Sequence, residues 1–171
     1  LSRGAIEFLS QGGAEKKLLF SYRTFIQERR MIEARRPSLL GTFGVNAGIP
    51  DAEIPARLMR AFQDDILLAE DKKVLGDYLM SVELKEIVDV ALSERLDGKE
   101  AGRDRGIIED LFFEKMAFED AMEKYGLSII TIKRVKKKGI DAVKKEIQFR
   151  LRLQDGSRKK EYAHSVENDT F

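Results

Sequence analysis

Lys133, Arg134, Lys136, Lys137 and Lys138 place five cations in six consecutive positions, and Lys144 and Lys145 follow two turns later. Such a cluster is either a solvated helix face or a set of contacts to phosphate oxygens, the sequence-independent share of nucleic-acid recognition. Groups suited to catalysis are scarce by comparison. The chain has no cysteine and a single histidine, His164, which leaves no thiolate metal site and argues against histidine catalysis or a zinc centre. Two acidic pairs, Asp64-Asp65 and Glu70-Asp71, have no histidine or glycine-rich phosphate loop to work with, and read as solvated helix faces. No enzymatic activity, metal or cofactor is expected.

The formal net charge of +1 conceals a strong segregation. Between Ser128 and Lys160 there are 12 lysines and arginines against 3 acids, whereas residues 1–127 hold 19 against 24. A positive field is therefore concentrated toward one end, where it attracts polyanions. The hydrophobic share, 43% of 171 residues, is enough to bury a core, in one domain or two small ones. No run approaches the ~18 apolar residues of a membrane span, and no cleavable secretory signal opens the sequence. A cytoplasmic protein without a membrane partner is expected.

The elements that must hold these cations are legible in the apolar spacing. Ile107, Ile108, Leu111 and Phe112 predict one short helix, and Phe118, Ala121, Met122 and Tyr125 a second. Gly126 then supplies a residue that tolerates positive φ, and Ser128 an oxygen able to cap the next helix. From there Ile132, Val135, Gly139, Ile140, Val143 and Ile147 keep one face apolar while the cations crowd the rest.

Upstream, a turn or two of helix over residues 3–9 breaks at Gln11-Gly12-Gly13, and a longer helix runs from Ala14 to about Arg36, ended by Pro37. Residues 39–50 read as a loop whose Leu39, Leu40, Phe43, Val45 and Ile49 pack on a surface. Asp51 caps another long helix with Leu58, Ala61, Phe62, Ile66 and Leu67 on its buried stripe; Gly76 interrupts it, and a further helix spans about 82–96. The fold expected is all-α, about six helices, with a helical N-terminal part followed by a helix-turn-helix and a long basic last helix. Three regions result: 1–98 for partner binding or oligomerisation, 99–153 for the helix-turn-helix, and 154–171 as a basic then acidic flexible tail.

The segment from Arg105 to Ile147 resembles region four of bacterial sigma factors and the sigma-like domains of phage late-transcription regulators of the ArpU and RinA type. The resemblance rests on Arg105, Ile107, Ile108, Glu109, Phe112 and Phe113, then Phe118-Glu119-Asp120, then Tyr125-Gly126-Leu127-Ser128. It continues through Ile132, Lys133, Arg134, Val135, Lys138, Ile140 and Val143. It implies a DNA-binding regulator of transcription, acting on double-stranded promoter DNA with RNA polymerase as a further partner. Residues 1–98 show no counterpart of the promoter-melting region two.

The last helix of such a domain enters the major groove by its N-terminal residues. The DNA-binding residues so implied are Ser128, Ile129, Ile130, Thr131, Lys133 and Arg134, with Lys136, Lys137, Lys138 and Lys144 on backbone phosphates. Lys145 and the group Arg158, Lys159 and Lys160 join the phosphate set. Family members commonly carry arginine and glutamate where this chain has Ile129 and Ile130. That leaves three uses for the isoleucines: contact with thymine methyl groups, a protein-binding patch, or core. Two further readings of the whole chain stand beside regulation, a ring-forming DNA-packaging adaptor of the small-terminase kind and a protein–protein interaction module.

Overall fold

Apolar residues at helical spacing build eight α-helices and one 3-10 turn, with no strand, among the residues described. The computed structural model describes residues 1–169, with side chains through Ser157. In chain order the helices are α1 (Arg3–Leu9), α2 (Ala14–Arg35), α3 (Pro37–Thr42), α4 (Ile54–Phe62), α5 (Ala69–Glu94), α6 (Ala101–Phe112), α7 (Phe118–Tyr125) and α8 (Ile129–Asp169). None is long and apolar enough to cross a membrane.

Two helices, α2 and α5, organise everything else. They lie antiparallel, because Tyr22 donates to Asp89 at 2.6 Å near one end while Tyr78 donates to Glu33 at 3.2 Å near the other. At the first end Leu18, Leu19, Leu84, Ile87 and Val88 share one core with Ile107, Ile108, Phe112, Val135 and Val143. At the second end Leu40, Val45, Ile54, Leu58, Leu75, Tyr78 and Leu79 form a smaller core. The boundary expected near residue 98 is therefore not a boundary of packing. Only residues 97–100 form an exposed turn, residues 101–104 already belong to α6, and α8 buries its apolar stripe directly against α2 and α5 with α6 packed on α8.

Between residues 37 and 76 the structure departs from the periodicity. Pro37 starts α3 as well as ending α2, since its fixed φ and missing N–H suit the first turn of a helix. Leu40 and Val45 are buried, so the hydrophobic content of the 39–50 segment does pack. Asp51 opens a 3-10 turn without a side-chain cap, and the helix that follows ends at Phe62 instead of continuing past Leu67. The Asp64 side chain accepts from the Ile66 N–H at 2.9 Å, a local turn that competes with the next helical hydrogen bond. Gly76 does not interrupt a helix; it lies inside α5, where the Phe62 ring comes within 3.9 Å of the position a Cβ would take. Ile66, expected on a buried stripe, is 91% exposed.

Past residue 153, where a tail was expected, the backbone remains helical to Asp169, with no proline after Pro55 to stop it.

Candidate nucleic-acid interface

Two short helices, α6 and α7, lead into the basic helix and brace its first half. α6 ends at Phe112, and a turn in which Lys115 takes a positive φ of 53° carries the chain to α7. α7 ends at Gly126, whose φ of 64° and ψ of 34° are left-handed and cost glycine little. Leu127 N–H then donates to the Met122 carbonyl at 3.2 Å, closing the helix end. Two residues later the Ser128 hydroxyl accepts from the Thr131 N–H at 3.3 Å and caps α8. The turn between α7 and α8 therefore spans Gly126 to Ser128, and both of its special residues do what their types suggest.

A second set of contacts fixes the angle of this brace. Asp110 of α6 accepts from the Lys124 ammonium at 2.8 Å and from the Tyr125 hydroxyl. Burial pushes the Asp110 carboxyl up, but the hydrogen bonds from Lys124 and Tyr125 outweigh it and hold the group below the usual carboxylate range. Gly106 lets the Tyr125 hydroxyl approach, since a Cβ there would lie 3.1 Å from that oxygen. Closer still is the crossing of α6 and α8, where a Cβ on Gly139 would lie 2.8 Å from Ile108 Cδ1. Read from the sequence, Gly139 was one more member of an apolar stripe. In the structure it is where two helices meet backbone to side chain, a use that an isolated glycine within a helical run signals.

On α8 itself, Ile132, Val135, Ala142, Val143 and Ile147 are buried, and Lys133, Arg134, Lys137, Lys144 and Lys145 are exposed. None of these five cations forms an ion pair with a described residue. From Lys133 to Lys145 the row is about 18 Å long, roughly half of the ~34 Å turn of a duplex. Asp141, also exposed, interrupts it.

The remaining candidates divide by surroundings. Lys136 is partly buried, with its ammonium 5.1 Å from the Phe118 ring centre and 5.7 Å from that of Phe112; Lys133 shares the Phe118 ring at 5.9 Å. Cations so placed are attracted to the ring face and held near it. Lys138 differs from its neighbours, because its ammonium pairs at 3.3 Å with Asp104, a carboxylate only 1% exposed that Arg103 also approaches at 3.2 Å. Its charge anchors α8 to α6. Ser128 and Thr131 are engaged with each other in the cap, 3.1 Å between hydroxyl oxygens.

Ile129 and Ile130 are 39% and 67% exposed. Of the three uses open to them, core packing is excluded. Arg158, Lys159 and Lys160 lie outside the residues whose side chains are described.

A buried carboxylate, unnoticed in the sequence, ties the far side of α8 to α5. Glu146 is 2% exposed and accepts from Arg95 at 2.6 Å and Arg150 at 2.8 Å. Only its phase within the apolar stripe, one residue before Ile147, could have marked it for burial.

Among the described residues no group of histidine, cysteine and carboxylate side chains is arranged to hold a metal ion. No protein-family model matches the chain, and no match was found among curated proteins or solved structures.

Proposed function

We propose that this chain is a DNA-binding regulator of transcription, of the sigma-like or phage type, that lays the exposed side of α8 along a duplex. The observation that carries the reading is the division of α8 into a buried apolar stripe and an outward row of cations unmatched by acids of the described body. An α-helix of ~10–12 Å diameter fits a major groove of about 12 Å, and the brace of α6 and α7 sets its angle without covering the row. Lys133 and Arg134, in the first turns of α8, are the side chains positioned to read base edges. Lys137, Lys144 and Lys145 face phosphates. RNA polymerase is a second partner on this reading, and cytoplasmic location follows from it.

The test compares Lys133→Ala and Arg134→Ala on a selected site and on random duplex. Each substitution is expected to weaken the selected site by about 1–3 kcal/mol, roughly tenfold or more, and random duplex distinctly less. Equal losses on both would reduce the pair to phosphate contacts.

Exposure of Ile130 favours one other reading, in which the start of α8 docks on a protein. A chain that retards no duplex at low salt would support it over DNA binding.

A further inference from the structure

The connection between α4 and α5 ends in an apolar knuckle. Ile66 is 91% exposed and Leu68 68%, and the Asp64 side chain, accepting from the Ile66 N–H, fixes the turn that carries them. Acids surround it. Asp64, Asp65 and Glu70 make no ion pair with a described residue, and no lysine or arginine intervenes between Arg60 and Lys72.

Elsewhere the molecule carries a matching hollow. A cavity of about 350 Å³ opens beside the junction of α6 and α7, walled by Phe20, Leu111, Met116 and Phe118 and rimmed by Lys115 and Lys136. That volume lies at the lower end of the ~300–1,000 Å³ typical of ligand pockets and is roomy for a pair of aliphatic side chains. Phe20, on its wall, is 44% exposed. Neither lysine pairs with a described acid, and the nearby Glu114 is engaged by Arg23.

We propose that the Ile66–Leu68 knuckle of one copy of this chain docks in the Phe20–Phe118 cavity of a second copy, its acids against Lys115 and Lys136. The knuckle cannot fill the cavity of its own chain. It begins α5, whereas Phe20 lies near the level of the Tyr22–Asp89 hydrogen bond, 21 residues along that helix or about 32 Å away. Knob and hollow are different surfaces, so the contact is head-to-tail and each molecule offers one of each. Its small extent makes it a transient association, weakened by salt through the charged rim. The docking itself rests on shape and charge alone and holds whether or not the chain binds DNA.

Sedimentation velocity of the full chain, without DNA, from micromolar to near-millimolar concentration tests it. The wild type is expected to sediment progressively faster as concentration rises. Ile66→Asp and Phe20→Asp are each expected to stay monomeric, with self-affinity reduced at least tenfold. An equimolar mixture of the two regains dimers and nothing larger, because each variant keeps one intact surface. Lys115→Glu, at an exposed site, replaces Phe20→Asp if helical circular dichroism shows that variant unfolded. A wild type that remains monomeric throughout, a dimer that either variant leaves intact, or a mixture that stays monomeric overturns the proposal.

Discussion

Lys137 and Lys138 are adjacent in sequence and serve different ends. Lys137 projects from α8 without a described acid beside it, while Lys138 reaches the buried Asp104. Removing the Lys138 ammonium leaves that carboxylate short of a partner, and Lys138→Ala is expected to lower folding stability by about 1–3 kcal/mol. Lys137→Ala is expected to leave stability unchanged within about 0.5 kcal/mol and to weaken duplex binding instead. Urea denaturation and gel retardation on the same pair of variants separate the roles; identical profiles would refute the distinction. Gly139→Ala makes the same point through sterics. Alanine is the better helix former by about 1 kcal/mol, yet its methyl would meet three Ile108 carbons at 2.8, 2.9 and 3.0 Å. Overpacking is expected to prevail, with a net loss of about 1–3 kcal/mol in the same urea titration. Neither partner was visible in the sequence, since residue type identifies a cation or a glycine but not the group that a neighbouring helix places against it.

Among the elements, α8 is held to the body by a titratable clasp. Burial pushes the Glu146 carboxyl up, but hydrogen bonds from Arg95 and Arg150 outweigh this and hold it below the ordinary glutamate value. A group depressed in the folded state is protonated first in the unfolded chain. Its stabilisation is therefore fully present above about pH 4.3 and is lost as the pH falls through the lower folded-state value. Glu146→Gln is expected to flatten the acid limb of stability against pH, measured by thermal melts between neutral pH and acid; an unchanged limb would show that the clasp carries no linkage. The helices around the candidate interface were the legible ones. Between Arg105 and Ile147 the apolar period, the positive-φ glycine and the serine cap agree, and the end of α6, all of α7 and the start of α8 fall there, while α6 begins earlier, at Ala101. From 51 to 98 the signals conflict. Gly76 looks like a breaker, but it sits inside α5 where Phe62 packs closely, and the real break is made by the Asp64 side chain. A helix stop made by one side-chain hydrogen bond has no periodicity to reveal it.

For the molecule as a whole, the decisive quantity is the salt dependence of duplex binding. If Lys133, Arg134, Lys137, Lys144 and Lys145 each neutralise one phosphate, log affinity falls against log salt with a slope of about −4 to −5. A flat response in fluorescence anisotropy would remove phosphate binding from the account. The segregation of charge along the sequence anticipated where the exposed cations of α8 lie, whereas the merging of α1, α2 and the C-terminal half of α5 with the basic segment into one core was not legible, because it depends on which stripes face each other in space. That merging has a consequence for how the molecule comes apart. α5 supplies buried residues to both cores and α2 reaches the smaller one through Ile32, so the short helices α3 and α4 depend on α5 and cannot be cut away as an autonomous unit. Amide exchange will accordingly reveal a gradient along α5, fastest at Ala69 and slowest toward Ala91, with the protected half releasing its protons in step with α6 and the first turns of α8.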